Sequence, residues 1–327
     1  MATHLTWRDT LLAVAIVFVW GTNFVVIRLA LDALPPLFLA SLRFLLVLVP
    51  ACFFLPRPKV AWANLATYGL CIGMLQFGAL FIAMNGRISP GLASLVLQMQ
   101  VFFTIALSML RTGERVKPHQ LLACVLALAG MGVIASHNGH GTTLAGLSLC
   151  LLSAFGWALG NQTSREAGKV NMLAYVVWAA LFSMPSLLAL SLLLEGPAAI
   201  MAGLARASIV TWASVLYQSV ANTMFGYACW AWLLSRYPAS TVSPMSLLVP
   251  VFGFGASALV LGEALPGWKI AATLLIMAGL AVNLLWVRRG QPKVGETVQR
   301  TVSSDERRDL EGAAGEPRKA AVSGEPS

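Results

Sequence analysis

Residues 90–133 read PGLASLVLQMQVFFTIALSMLRTGERVKPHQLLACVLALAGMGV, and residues 238–282 repeat the pattern loosely as PASTVSPMSLLVPVFGFGASALVLGEALPGWKIAATLLIMAGLAV. A shift of 149 positions lays Ser94 on Ser243, Phe103 on Phe252, Ser108 on Ser257 and Gly113-Glu114 on Gly262-Glu263. In the same register Ala123, Leu126, Ala129-Gly130 and Val133 fall on Ala272, Leu275, Ala278-Gly279 and Val282. One shared Gly-Glu pair is common by chance, but a gap-free series of matches marks a duplication. Each copy reads as an apolar helix, a short turn carrying Gly-Glu, and a second apolar helix.

Outward from this hairpin, composition names the solvent. The chain of 327 residues is 58% apolar and 11% charged, with mean hydropathy +0.77. A soluble domain carries about 25% charge. Most of the first 290 residues divides into apolar runs of about 20 residues, the length of a bilayer-spanning helix. The sequence therefore predicts an all-α membrane protein whose chief partner is the lipid bilayer. Ten spans are expected, at residues 9–29, 36–55, 65–85, 91–110, 120–136, 143–162, 172–194, 209–234, 239–261 and 268–287. Breakers such as Pro35-Pro36, Ser89-Pro90-Gly91 and Glu195-Gly196-Pro197 mark the loops. The first run follows Arg8 and is too long for a signal peptide, with no cleavage site after it, so it reads as a retained span.

The formal charge of +9 belongs to the membrane part. Up to Gly290 there are 16 Lys/Arg against 6 Asp/Glu, and from Gln291 onward 6 against 7. These cations lie between hydrophobic spans, so they report topology and not nucleic-acid binding. On the side of the N-terminus stand twelve, including Arg8, Arg57, Lys59, Arg111, Arg115 and Lys117; on the other side are Arg28, Arg87, Arg206 and Lys269. The positive-inside rule then places both termini in the cytoplasm.

Ten spans with a repeat at the fourth-fifth and ninth-tenth make two halves, 1–138 and 139–290. Five spans per half invert the second half in the membrane. Such inverted repeats occur in secondary transporters, with substrate at the midplane between the halves. The tail, 291–327, is rich in Gly, Pro, Glu, Ser and Arg and is expected to be disordered. The five cysteines lie inside apolar runs without a C-x-x-C pair, which favours small apolar filler over disulfides or metal ligands.

Polar side chains within spans carry a free-energy cost, which makes them candidates for a path. Arg43, about seven residues into the second span, reads either as a partner for a substrate carboxylate or as a cation snorkelling to the headgroups. Asn23, after Trp20, and Asn161, after Trp157, echo each other between the halves, and each suits either a zwitterion or a helix-helix bond. Gln76 interrupts the third span, and Gln98 and Gln100 the fourth. Residues two apart on an α-helix face apart, so at most one of the latter pair should line a path. Gln218 and Asn222 share a face with Phe225, with Tyr227 and Trp230 adding aromatic surface. Pro250, absent from the first copy, reads as a mid-span kink suited to a gate.

Asp9, Asp32, Glu114, Glu195 and Glu263 fall at span ends or in loops, which disfavours a proton relay through a mid-span carboxylate. No metalloprotease, Walker or hydrolase motif occurs, so neither an enzyme nor an ATP-driven pump has support, and no cofactor is expected.

Trp20-Gly21-Thr22-Asn23-Phe24, Leu42-Arg43-Phe44 and the paired Gly-Glu turns, set in ten spans, resemble the EamA family of the drug/metabolite transporter superfamily. The resemblance covers roughly residues 9–288. Further stretches, among them Gly91-Leu92-Ala93-Ser94-Leu95-Val96-Leu97-Gln98 and Ser246-Leu247-Leu248-Val249-Pro250-Val251, are similar to the branch of that family that exports O-acetylserine and cysteine. The resemblance implies efflux of small zwitterionic metabolites across a bacterial inner membrane. A broader drug or aromatic exporter using Trp20, Trp157, Tyr227 and Trp230 remains the alternative. A membrane sensor or scaffold has less support, because no folded soluble domain is visible.

Overall fold

The computed structural model describes residues 5–112, 117–137 and 142–289; the first Gly-Glu turn and the tail lie outside them. The helices are α1 (Trp7–Leu31), α2 (Pro36–Ala51), α3 (Trp62–Met84), α4 (Pro90–Leu110), α5 (Pro118–Ser136), α6 (Leu144–Glu166), α7 (Met172–Leu194), α8 (Gly196–Arg206), α9 (Ile209–Arg236), α10 (Pro244–Leu261) and α11 (Gly267–Leu284). The described residues contain no β-strand, only an isolated bridge between Ile88 and Thr142.

Among the described residues eight helices are long and apolar enough to cross a membrane, or nine if α8 and α9, which meet at 106°, form one broken span. The second expected span is shorter than its sequence suggests. Helix α2 has 16 residues, about 24 Å at 1.5 Å per residue, and stops one residue after Pro50. The expected loop after Glu195 also needs correction: residues 196–206 are helical. Pro197 opens that helix, where its fixed φ fits and its missing N–H costs nothing.

Proline at 250 does not interrupt an α-helix. It sits in the first turn of the α segment Leu248–Leu261, directly after a 3-10 stretch, Ser243–Leu247. A proline there lacks only an N–H that would have had no acceptor within the α segment, so it breaks no hydrogen bond of that segment. The deviation from α geometry lies just before it. Helix α4 carries a matching 3-10 turn at Leu97–Met99, which overlaps the other under the 149-residue shift.

Packing crosses between the two matched parts of the chain. Helix α1 packs on α9 and α10, while α6 packs on α3 and α4. The repeated Ala-Gly pairs have a common use. A Cβ on Gly130 would lie 2.6 Å from Ile276 of α11, and one on Gly279 would lie 2.6 Å from the Ala123 carbonyl of α5. Small residues bring helices together where hydrophobic burial supplies no driving force.

Candidate functional site

Two π-helical stretches organise the middle of the bundle, Cys71–Gly78 in α3 and Tyr217–Phe225 in α9. A π turn widens the helix and is frequent at functional sites. Between these stretches and the 3-10 turns lies a cavity of about 100 Å³. Its amide-bearing walls are Asn23 of α1, Gln76 of α3, Gln98 and Gln100 of α4 and Asn222 of α9. Trp20, Trp157, Tyr227, Phe24 and Phe77 supply aromatic surface, and Ser94 and Ser246 supply hydroxyls. No Asp, Glu, Lys or Arg is among the lining residues.

The two glutamines of α4 correct the sequence reading: both line the cavity. On an α-helix residues two apart point about 160° away from each other, whereas a 3-10 turn at three residues per turn reduces this to about 120°. The 3-10 turn at Leu97–Met99 thus presents both amides to one space. Gln98 is also held across the cavity, its Nε2 donating to the Ser246 carbonyl at 3.2 Å.

The aromatic surface is locked in place. Trp20 Nε1 donates to the Asn222 carbonyl at 3.2 Å, and its ring meets Trp230 at 5.1 Å and Tyr227 at 6.2 Å between centroids. Trp157 lies nearly parallel to Tyr227 at 6.5 Å. Trp20, Trp157 and Tyr227 reach the wall as expected, and Trp230 supports it from behind.

Several expected residues stand off the wall. Asn161 donates to Gln100 Oε1 at 3.4 Å, so it positions a lining amide. Gln218, one turn from Asn222, is fully buried beyond the cavity, because a space this small reaches only one of the two. Arg43 is also absent from the lining. Its guanidinium lies 3.8 Å from the centroid of Phe77, which does line the cavity, and Nη2 donates to Thr223 Oγ1 at 2.6 Å.

Arg43 is fully buried, and its Nε and Nη1 have no hydrogen-bond partner. Snorkelling to the headgroups is thus ruled out in this arrangement. Gln76 is equally buried and both of its amide atoms are unpartnered, as is Asn23 Oδ1. Buried polar atoms without partners each carry a desolvation penalty of about 1–3 kcal/mol, relieved when a ligand or water supplies the missing bond. Gln76 and Ser94 were visible in the sequence, one as a polar break in a span and one as a repeated serine, yet neither pattern gave its distance from the cavity.

A profile of the EamA-like transporter family matches residues 8–136 and again residues 144–285. The chain belongs to that family. It is a membrane transporter and not an enzyme. Within the EamA-like family the chain is 44% identical over 287 residues to a "Probable amino-acid metabolite efflux pump" of Salmonella typhimurium, covering 86% of this chain and 96% of that one. A protein of the same description from Escherichia coli is 42% identical over 295 residues, 88% of this chain and 99% of that one. A solved crystal structure shares the fold at TM-score 0.58 and 19% identity, over 87% of this chain and 99% of the other.

Proposed function

We propose that this EamA-like transporter is a secondary exporter of small amino-acid-like metabolites, cysteine and O-acetylserine foremost, across a bacterial inner membrane. The observation that carries the reading is the cavity lined by amides from α1, α3, α4 and α9. Amides both donate and accept, so together they can solvate a zwitterion that carries an ammonium and a carboxylate side by side. The described relatives at 44% and 42% identity point to the same substrate class.

Transport proceeds by alternating access between two inverted halves, 1–138 and 139–290, with both termini in the cytoplasm. The exchanged packing of α1 and α6 supports this arrangement. Arg43 pairs with the substrate carboxylate, directly or through water, after the Phe77 ring moves aside. Asn23, Gln98 and Asn222 bind the other polar groups, and Asn161 keeps Gln100 in position.

Trp20, Trp157 and Tyr227 on the same wall favour a second reading, export of larger aromatic compounds. Counterflow in proteoliposomes separates the two. Labelled cysteine exchanging against O-acetylserine, but not against neutral aromatics, supports the first reading. Exchange with neutral aromatics alone overturns it.

A further inference from the structure

A second cavity, of about 370 Å³, lies one turn of α4 away from the first. It is lined by Arg28, Asp32, Ser89, Pro90, Ser257 and Glu263 among others, at the end of the bundle where the α1–α2 and α3–α4 connections turn. The first cavity reaches Ser94. From Pro90 to Ser94 is about 6 Å along a helix. Helix α10 fills that turn: a Cβ on Gly91 would meet Phe254 at 2.5 Å, and one on Gly253 would meet Ser94 Oγ at 2.5 Å.

One carboxylate holds this thin seal. Glu263 accepts hydrogen bonds from Ser89 Oγ, from Gly91 N at 3.1 Å, from Ser257 Oγ and from Lys269 Nζ at 2.7 Å. The Glu263 and Lys269 side chains are only 8% and 6% exposed. Gly262, in the left-handed conformation at φ 65°, ends α10 and turns the chain at this point. Glu195 offers a contrast. It caps α2 through Leu37 N at 2.7 Å and Phe38 N at 3.1 Å, and neither cavity touches it.

We propose that the α4–α10 contact is the gate between the two cavities and that the Glu263 carboxylate is its latch, released from Ser89 and Gly91 when substrate passes into the second cavity. This rests on the transport reading for its passenger, but not for its geometry. Opening separates two donors of α4 and its preceding loop, while Ser257 and Lys269 travel with Glu263. The carboxylate thus keeps its cation in both states, which makes the release reversible. The other charged or titratable groups around the latch are Arg28 and Asp32, paired at 2.5 Å, the exposed Arg87, and His137 stacked on Trp268 beside Lys269.

Ser94→Cys, in a chain whose five native cysteines are replaced, reports the gate without any substrate. A membrane-impermeant maleimide is applied from the side of the second cavity and, separately, from the opposite side. With Glu263 intact, labelling from the second-cavity side is slow. Glu263→Gln raises that rate tenfold or more relative to the opposite side, while a monodisperse elution profile in detergent confirms a folded protein. An unchanged rate in folded Glu263→Gln overturns the proposal. Should that variant fail to insert, Ser89→Ala removes one donor from the α4 side alone and must raise the rate several-fold; no rise also overturns the gate. A failed substrate assignment leaves these rates untouched.

Discussion

The Arg43 guanidinium stacks on Phe77 at 3.8 Å, and Phe77 is at the same time part of the cavity wall. A single aromatic ring therefore stands between the transporter's fully buried cation and the space where a carboxylate would arrive. Burying a cation without a counter-charge costs several kcal/mol, and replacing it by an apolar residue of similar volume removes that penalty. Arg43→Met is expected to keep or raise the unfolding temperature in detergent while abolishing cysteine counterflow. Arg43→Lys keeps charge but loses the planar stack, and is expected to lower counterflow about tenfold or more. Full counterflow in Arg43→Met would remove this side chain from the site.

Gln76 gives a second separation of stability from binding. Its amide is fully buried with both polar atoms unpartnered, so Gln76→Leu removes a desolvation penalty and no protein hydrogen bond. Thermal unfolding should show no loss. Substrate affinity should fall by about 1–3 kcal/mol, roughly 5- to 150-fold, measured by equilibrium binding to purified protein. A stability loss of that size with intact affinity would assign the glutamine to packing.

Two glycines should respond in opposite directions to alanine. A Cβ on Gly21 would lie 2.6 Å from Phe252 Cβ and 2.7 Å from the Val249 carbonyl, where α1 and α10 meet. Gly21→Ala is expected to cost about 1–3 kcal/mol as overpacking. Gly132 of α5 has nothing within 4 Å of such a Cβ, and Gly132→Ala should gain up to about 1 kcal/mol from helix propensity. Unfolding temperatures of both variants, in one detergent, test the pair.

The Glu263 latch carries a pH signature. Burial pushes this carboxyl up, but hydrogen bonds from Lys269, Ser257 and Ser89 together outweigh it and hold the group below its ordinary value of 4.5. Lys269 and Ser257 stay with Glu263 on opening, so the ionised form favours the closed contact through the two bonds that opening breaks, from Ser89 Oγ and Gly91 N. That stabilisation is complete above pH 4.5 and is lost as pH falls through the lowered value. Ser94→Cys labelling from the second-cavity side should therefore stay flat from neutral pH to about 5 and rise below 4.5 after correction for maleimide reactivity. In Glu263→Gln the acid rise should disappear. A rise that survives there would assign the effect to another group and overturn the latch as its source.

Much of this architecture can be read directly from sequence, because hydrophobic length and a gap-free repeat are properties of the chain itself. Matched Ala129-Gly130 and Ala278-Gly279 belong to that repeat, and the structure adds that they are points of close helix contact. The site was legible only in part. Asn23, Gln98, Trp20, Trp157, Tyr227 and Asn222 reach the cavity, since polar or aromatic residues near mid-span tend to face protein. Arg43 does not, because hydropathy gives depth but no rotation about the helix axis. Gln100 joins Gln98 at the cavity for a related reason: the 3-10 turn changes the angular step, and local sequence does not announce it. Sequence places Glu263 in a loop, yet its partners come from segments more than a hundred and seventy positions upstream as well as from its own hairpin.

The widened turns at Cys71–Gly78 and Tyr217–Phe225 have one more consequence. A π turn holds one residue of slack relative to an α-helix, and that slack can migrate along the segment without altering its length. Each one-residue migration swings the side chains it passes by about 100°. Gln76, Phe77 and Asn222 all sit within these two segments. Such a twist inside two helices would re-aim the amides and withdraw the ring beside Arg43 while leaving the helix ends in place.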